Sequence, residues 1–207
     1  MNNKEQLSVI CKKLYEKGLS PGFSGNVSVR NGEFVLVTPS GLSLNDVTPE
    51  NIVKIDFEGN VSEGTLNPTS EKFMHIKIYQ KRPDINAIIH CHAPKSSAFA
   101  VAGMSFTEPI LAENILLFGD IPLIKYSTPS SLELAEDVSD AFVGHDAALM
   151  QNHGVIVGGK NLIDVFYKMD TIEYCSEVYL NAKILGNIEH LSEENIKDII
   201  ALRKNRH

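Results

Sequence analysis

The chain has 207 residues, of which 43% are hydrophobic and 22% are charged, and its formal net charge at pH 7 is −7. This composition excludes a disordered chain, and the length fits one well-filled core but not a second complete domain. The acidic balance argues against a nucleic-acid-binding surface, because such surfaces cluster Lys and Arg against phosphates.

We therefore expect one domain over residues 1–207 and no nucleic-acid partner, although a small pocket for a single anion remains compatible with the charge. The first residues lack the charged start and apolar run of a signal peptide, and no apolar run is long enough to span a membrane. Cys11, Cys91 and Cys175 are an odd number at wide spacing, which favours free thiols in a reducing compartment. These features predict a cytoplasmic protein without a membrane partner.

The first forty residues predict a helix followed by a hairpin. Apolar residues recur at helical spacing before Gly18; they are Leu7, Ile10, Cys11 and Leu14. A loop rich in Pro, Gly and Ser follows over residues 20–26. Two β-prone runs, 27–29 and 34–37, flank Asn31-Gly32, a dipeptide typical of hairpin turns. We expect the sheet to begin with two antiparallel strands.

The middle of the chain predicts a strand, a helix and a buried strand. Residues 52–57 alternate between apolar and polar types. Asn67 is a residue type that caps helices and Pro68 suits a first turn, so we expect a helix from there to about Lys81. The apolar run over residues 87–92 is typical of a buried strand.

The second half alternates in the same way. We expect, in order, a strand over 123–126, a helix, strands over 148–150 and 155–157, a long helix over 162–185, and a short helix containing Ile196, Ile199, Ile200 and Leu202. Ser130 and Glu133 have capping-box spacing at the start of the first of these helices. The pattern predicts an α/β fold with three α/β/α layers around a mixed sheet.

Three histidines indicate a metal site. His90 and His92 are alternate residues of a predicted strand, so their side chains share a face, although such a pair is as readily explained by packing. His153 lies in a tight junction before Gly154, between two predicted strands, which places it at the edge of the sheet. Three imidazoles would leave zinc an open coordination position, as catalytic sites require.

Glu71 is the candidate carboxylate, as a fourth ligand or as a general base. An acidic residue in a helical first turn is also favoured by the helix dipole alone. His75 shares its helix face, but we leave it out of the metal ligands because a helical Glu-His pair is as readily a surface contact.

Three polar segments are candidates for binding a phosphate: residues 24–26, 38–41 and 69–70. They offer hydroxyls, glycine amides and the predicted start of a helix, which are the groups that bind anions. Each segment taken separately is equally typical of a turn.

The ordered set of these motifs resembles the class II aldolase and adducin-head family, and within it the L-fuculose-1-phosphate aldolase branch. The motifs are SGNVS at 24–28, TPSG at 38–41, PTSE at 68–71, HCH at 90–92 and HG at 153–154. The resemblance implies a central, mostly antiparallel sheet between helical layers. It also implies a homo-oligomer, typically a homotetramer, with active sites near subunit boundaries.

The same resemblance implies a role for each matching residue. The metal ligands would be Glu71, His90, His92 and His153, with one Zn²⁺ per subunit, and Glu71 would also be the catalytic proton carrier. The residues that match the phosphate-binding positions are Gly25, Asn26, Ser40, Gly41, Thr69 and Ser70. The implied activity is reversible cleavage of a ketose 1-phosphate to dihydroxyacetone phosphate and an aldehyde, with the metal acting as a Lewis acid.

The chain departs from the branch at two places. The branch has a tyrosine acid where residues 108–114 of this chain have no tyrosine, and Glu113 is the candidate replacement, acting across a subunit boundary. The chain end at His207 also lacks the aromatic residues of some relatives. Both departures bear on which aldehyde is the substrate.

Three alternatives stay open. A decarboxylase of an oxo-tetronate phosphate would use the same metal and phosphate groups. A pentulose-phosphate 4-epimerase would usually have aspartate at the position of Glu71. An adducin-like scaffold domain would have no need of the three histidines.

Overall fold

A computed structural model describes residues 2–106 and 108–204, without the side chain of Lys204. The helices are α1 (Asn3–Glu16), α2 (Lys72–Lys81), α3 (Pro94–Val101), α4 (Ala112–Leu117), α5 (Leu132–Ala141), α6 (Leu162–Leu185) and α7 (Glu193–Lys204), with a 3₁₀ turn at Leu44–Asp46. The strands are β1 (Asn26–Asn31), β2 (Phe34–Val37), β3 (Val53–Ile55), β4 (Val61–Glu63), β5 (Ala87–Cys91), β6 (Leu123–Ile124), β7 (Ala147–Met150) and β8 (Gly154–Gly159).

The strands form one eight-stranded sheet in the order β4-β3-β2-β1-β5-β8-β7-β6. Every neighbouring pair is antiparallel except β6 and β7, which run parallel. Strand β5 lies between β1 and β8, so His90 pairs with Asn26 on one side and Ile156 on the other. The mostly antiparallel sheet is confirmed, and its register brings separate sequence motifs side by side.

Helices cover both faces of this sheet. On one face α1, α3 and α6 enclose a core that includes Ile89, and on the other face α2 and α5 enclose a core that includes Ile88. Successive residues of a strand point to opposite faces, so β5 contributes to both cores. The predicted three α/β/α layers are confirmed, and no described helix is long and apolar enough to cross a lipid bilayer.

Several predicted elements are confirmed. Helix α1 buries the four apolar residues of the predicted stripe, and Asn2 caps it together with Glu5. Strands β1 and β2 form the expected hairpin, and α6 ends at Gly186, whose φ is 105°. Helix α7 forms at the expected place. Residues 205–207 lie outside the described residues, so the expectation about the chain end at His207 falls there as well.

The predicted start of α2 at Asn67 is wrong. The helix begins at Lys72, and Glu71 is its N-cap residue rather than a first-turn residue. Pro68 instead lies opposite Pro39 in a β-bridge, and the amide of Thr69 donates to the carbonyl of Thr38 at 3.0 Å. These extended contacts hold residues 68–69 against the loop after β2, so the polypeptide becomes helical only after Glu71.

The predicted capping box at the start of α5 is wrong: Ser131 is the N-cap residue, and Leu134 at the third helical position has no side-chain acceptor for a return hydrogen bond. The hydroxyl of Ser131, not that of Ser130, accepts the amide of Leu134 at 3.1 Å. Strands β3 and β6 are shorter than predicted, and β5 ends at Cys91, which leaves His92 just beyond the strand. Helices α3 and α4 were not predicted, because each is short and has few residues at helical spacing.

Candidate metal centre and adjoining polar cavity

The three predicted histidines meet at one end of the central strands. His90 lies near the end of β5, His92 follows that strand, and His153 lies in the turn between β7 and β8. One nitrogen from each ring lies within 4.8 Å of the others, and the Nε2 atoms of His90 and His92 are 3.1 Å apart. Ring centroids are 4.8–5.0 Å apart in all three pairs. This spacing allows the three imidazoles to bind one ion.

Backbone features of the β7–β8 turn place His153 beside β5. Asn152 has a positive φ of 55°, and the amide of His153 donates to the carbonyl of Met150 at 3.0 Å. A Cβ atom on Gly154 would lie 2.5 Å from the carbonyl oxygen of Cys91. A glycine is therefore required at this position, because any side chain would push the turn away from β5.

Glu71 reaches the cluster from the start of α2. Its Oε2 atom lies 3.3 Å from Nε2 of His90, and its Oε1 atom lies 3.4 Å from Nε2 of His153. The side-chain amide of Asn26 donates to Oε2 at 2.9 Å. Oε1 of Glu71 and Nδ1 of His153 are buried without a hydrogen-bond partner among the described residues. Buried polar atoms need partners, so a bound cation fits this donor set.

The electrostatics of the cluster favour the metal-binding forms of its groups. Burial lowers the pKa of His90 to about 3, and burial together with nearby His153 lowers the pKa of His92. Burial opposes ionisation of Glu71, but His90, His153 and the Asn26 amide favour it, and its pKa lies below the ordinary value. Neutral imidazoles and an ionised carboxylate are the forms that coordinate metals.

His75 does not join the three-histidine group, and of the alternatives left open for it the surface contact does not occur. Its side chain is fully buried, with Nε2 2.5 Å from Oδ1 of Asn26 and Nδ1 2.7 Å from Oγ of Ser28. That hydroxyl also lies 2.8 Å from the hydroxyl of Tyr79. A chain of hydrogen bonds therefore links Tyr79 to Glu71 through Asn26. The i, i+4 spacing of Glu71, His75 and Tyr79 was the available sequence signal.

A cavity of about 210 Å³ opens beside the histidines. All six candidate phosphate-binding residues line it: Gly25, Asn26, Ser40, Gly41, Thr69 and Ser70. Glu71, His92 and His153 line it as well, whereas His90 is fully buried behind them. Pro129 and Ser130, from the segment before α5, complete the wall and were not predicted.

Gly25 brings the start of β1 against β5. Its φ is 78°, a conformation that side chains disfavour, and an added Cβ atom would lie 2.0 Å from Oγ of Ser20 and 2.9 Å from the carbonyl of His90. This close approach places Asn26 next to both the cavity and Glu71. The predicted grouping of the 24–26 segment with the histidines thus follows from strand pairing.

Glu113 is placed away from this cavity. It is exposed in the first turn of α4, and it does not line the cavity. A larger cavity of about 360 Å³ lies elsewhere, and two of its four cationic lining residues, Arg82 and Lys168, are ion-paired with Asp146. In the histidine cavity, buried atoms without hydrogen-bond partners among the described residues occur together with anion-binding groups.

An α/β protein with three imidazoles and a carboxylate beside a polar cavity has the donor set of a catalytic metal site. Residues 5–180 match the model of the Class II Aldolase and Adducin N-terminal domain. The chain belongs to this family.

Relatives cover most of the chain. It is 37% identical over 171 residues to an L-fuculose phosphate aldolase of Methanocaldococcus jannaschii, covering 83% of this chain and 92% of the relative. It is 32% identical over 199 residues to a 5-deoxy-D-ribulose 1-phosphate aldolase of Bacillus thuringiensis, covering 95% and 92%. A 3-oxo-tetronate 4-phosphate decarboxylase of Haemophilus influenzae is 30% identical over 201 residues, covering 95% of both chains.

A solved structure of an L-fuculose 1-phosphate aldolase superposes with a TM-score of 0.91 at 33% identity, covering 98% of this chain and 96% of that one. The family match and the aldolases among the relatives confirm the expectation of a class II aldolase, a metal-dependent carbon–carbon lyase.

Proposed function

We propose that the protein is a zinc-dependent aldolase that reversibly cleaves a ketose 1-phosphate to dihydroxyacetone phosphate and an aldehyde. The observation that carries this proposal is one cavity lined both by the donor cluster and by all six phosphate-binding candidates. In a ketose 1-phosphate the phosphate is carried by the carbon next to the carbonyl carbon. The protein therefore needs a phosphate-binding site close to the metal that binds the carbonyl oxygen. The cavity offers such neighbouring sites.

The proposed metal ligands are His90, His92, His153 and Glu71. Zinc would supply Lewis-acid polarisation of the ketose carbonyl, which stabilises the negative charge that develops when the carbon–carbon bond breaks. Imidazole ligands suit zinc, and the absence of cysteine from this cluster distinguishes it from common structural zinc sites. The carbonyl of Val155 lies 3.0 Å from Nδ1 of His90, so the other ring nitrogen, Nε2, faces the cluster.

Glu71 is the proposed proton carrier. Of the carboxylates that the structure describes, it is the one that lies among the histidines and also lines the cavity. Asn26 holds one carboxylate oxygen, whereas the other has no hydrogen-bond donor within the described residues. In the cleavage direction, the hydroxyl on the carbon that becomes the aldehyde loses its proton as the carbon–carbon bond breaks, and Glu71 would deliver a proton to the carbon that becomes the hydroxymethyl group of dihydroxyacetone phosphate. In the synthetic direction it would remove that proton.

The six cavity residues would bind the phosphate through amides and hydroxyls rather than through cationic side chains. Among residues 2–106 and 108–204, neither Lys nor Arg lines this cavity. Backbone amides and hydroxyls in turns form concave anion sites, and this chemistry suits a phosphate that remains unchanged in the reaction.

We further propose that the whole of residues 1–207 is one catalytic domain, that it works in the cytoplasm, and that it forms a homo-oligomer, by family likeness a homotetramer.

The decarboxylase is the second candidate, because one relative of nearly equal length carries that name. A decarboxylase and an aldolase both leave negative charge on the carbon next to a polarised carbonyl, so the same cluster serves both. The epimerase is disfavoured by Glu71, because that branch usually has aspartate there. A scaffold role is disfavoured by a complete donor cluster with unsatisfied buried atoms.

A product assay separates these functions. Zinc-loaded protein is incubated with the 1-phosphates of L-fuculose, L-rhamnulose, ribulose and 5-deoxyribulose, and with a 3-oxo-tetronate 4-phosphate. Release of dihydroxyacetone phosphate from a ketose 1-phosphate supports the proposal and identifies the aldehyde. Release of carbon dioxide alone would replace it by the decarboxylase. Glu71→Gln serves as the matched control, because it preserves the side-chain shape but cannot carry the proton.

A further inference from the structure

Ser130 has a backbone conformation that its side chain disfavours. Its φ is 66°, and within the described residues only Asn152 shares a positive φ among residues other than glycine. Asparagine tolerates this left-handed region better than serine does, since its side chain can hydrogen-bond locally. Ser130 also lines the polar cavity beside the histidines. Unfavourable conformations of this kind are concentrated at functional sites.

The side chain of Ser130 makes a specific contact across the cavity wall. Its hydroxyl donates to Oγ of Ser70 at 2.9 Å, joining the segment before α5 to the segment before α2. A hydroxyl has one hydrogen to donate. Because Ser130 supplies the hydrogen of this bond, the hydrogen of Ser70 is left for another acceptor. Both side chains are exposed to the cavity side, where a phosphate oxygen can be that acceptor.

Helix capping does not explain Ser130. The neighbouring Ser131 caps α5, and its hydroxyl accepts the amide of Leu134. The left-handed φ of Ser130 belongs to a turn that the amide of Ser131 closes by donating to the carbonyl of Thr128 at 3.1 Å. Glycine is the residue type that such a turn position favours, so the turn does not explain why serine stands there. What serine adds at this position is the hydrogen bond to Ser70.

We propose that Ser130 is a positioning residue for substrate phosphate. It adopts a left-handed backbone conformation, and its hydrogen bond orients the Ser70 hydroxyl so that this hydroxyl donates to the anion. This inference rests on the phosphate cavity of the proposed function. It adds a residue from the segment before α5 to the three predicted segments. Its effect passes through Ser70, which distinguishes it from an independent phosphate contact.

The test measures binding of inorganic phosphate to the zinc-loaded protein by isothermal titration calorimetry. The proteins are the unchanged chain, Ser130→Ala, Ser130→Gly, Ser70→Ala and the Ser70→Ala/Ser130→Ala double variant. Loss of one orienting hydrogen bond weakens binding by about fivefold, so we expect this loss in both Ser130 variants. In the double variant we expect the affinity of Ser70→Ala alone, within about twofold, because coupled residues are non-additive.

Thermal unfolding distinguishes the proposed role from a purely structural one. If Ser130 served stability alone, replacing it would lower the midpoint temperature of unfolding. Ser130→Gly removes the backbone penalty but also the hydrogen bond to Ser70, so the two effects offset and the midpoint should not fall, although phosphate binding weakens. Ser130→Ala keeps the penalty and should not raise it. The control is Ser131→Ala, which removes the α5 cap: it should lower the midpoint and leave phosphate affinity within about twofold.

Equal phosphate affinity in the unchanged chain and both Ser130 variants would overturn the inference while leaving the proposed aldolase intact. A Ser130 effect of the same size with and without Ser70 would overturn its action through Ser70. If the unchanged chain binds no phosphate, or binds it equally after Ser70→Ala, the phosphate cavity of the proposed function fails and the inference fails with it.

Discussion

Acidification should destabilise the protein through His75, which is fully buried and is not one of the clustered histidines. Burial lowers its pKa from 6.5 to about 4. Because the unfolded chain binds this proton more readily than the folded chain does, the contribution of His75 to stability is fully present at pH values above the unfolded pKa of 6.5. It is lost as the pH falls from 6.5 towards 4. The linkage relation gives a loss of about 2 kcal/mol at pH 5 and about 3 kcal/mol at pH 4, relative to pH 7.

The assay is urea unfolding at pH 7, 6, 5 and 4.5, with His75→Gln as the matched variant. Glutamine has a side-chain amide that can donate to Asn26, but it does not titrate, so the variant shares every other ionisable group with the unchanged chain. The variant is expected to start less stable at pH 7 and to lose about 2 kcal/mol less between pH 7 and 5. Parallel stability curves for the two proteins would refute the assignment of a buried neutral His75.

Three substitutions test the site and its supports. Glu71→Gln should retain bound zinc and lower turnover by about 100-fold or more, measured by dihydroxyacetone phosphate release; an unchanged rate would remove Glu71 from the mechanism. Gly25→Ala should destabilise the fold by about 2 kcal/mol or more in urea unfolding, because its Cβ atom meets a neighbouring side chain at 2.0 Å; wild-type stability would contradict the close approach. Glu173→Ala removes the carboxylate that accepts from the amides of Lys95 and Ser96 at 2.9 and 3.0 Å, so it should cost about 2–3 kcal/mol. The same substitution should weaken zinc binding, measured by chelator competition, because α3 begins two residues after His92. Unchanged zinc affinity would show that the contact of Glu173 with α3 does not help to position His92.

The sequence predicted the layers and the cluster because both depend on local patterns. Alternation in β5 and the glycine after His153 are visible in the residues themselves, and the structure brings the three histidines together. Asn67 and Pro68 predicted a helix start for a sound local reason. Tertiary pairing with the loop after β2 overrode it, since backbone groups committed to a bridge cannot also form a helical turn.

Other features depend on contacts between distant segments and were not predictable. The i, i+4 spacing of Glu71, His75 and Tyr79 places the three side chains on one helix face, but it does not show that Asn26 and Ser28 of β1 are the partners of His75. Ser130 and Ser131 are identical residue types in adjacent positions, yet one faces the cavity and the other caps α5. Sequence spacing selected Ser130 because Glu133 follows it by three residues, whereas the turn closed by the Ser131 amide and the Thr128 carbonyl makes Ser131 the N-cap.

The central claim is a catalytic zinc centre built by three histidines and Glu71, and metal stoichiometry coupled to activity tests it most directly. The purified protein is analysed for zinc per chain and for dihydroxyacetone phosphate release from ketose 1-phosphates, before and after chelation, beside a His92→Ala variant. We predict about one zinc per chain, loss of release on chelation, recovery on adding zinc back, and loss of both zinc and activity in the variant. Release that persists in the metal-free protein, or zinc retained at full occupancy without His92, would contradict the account.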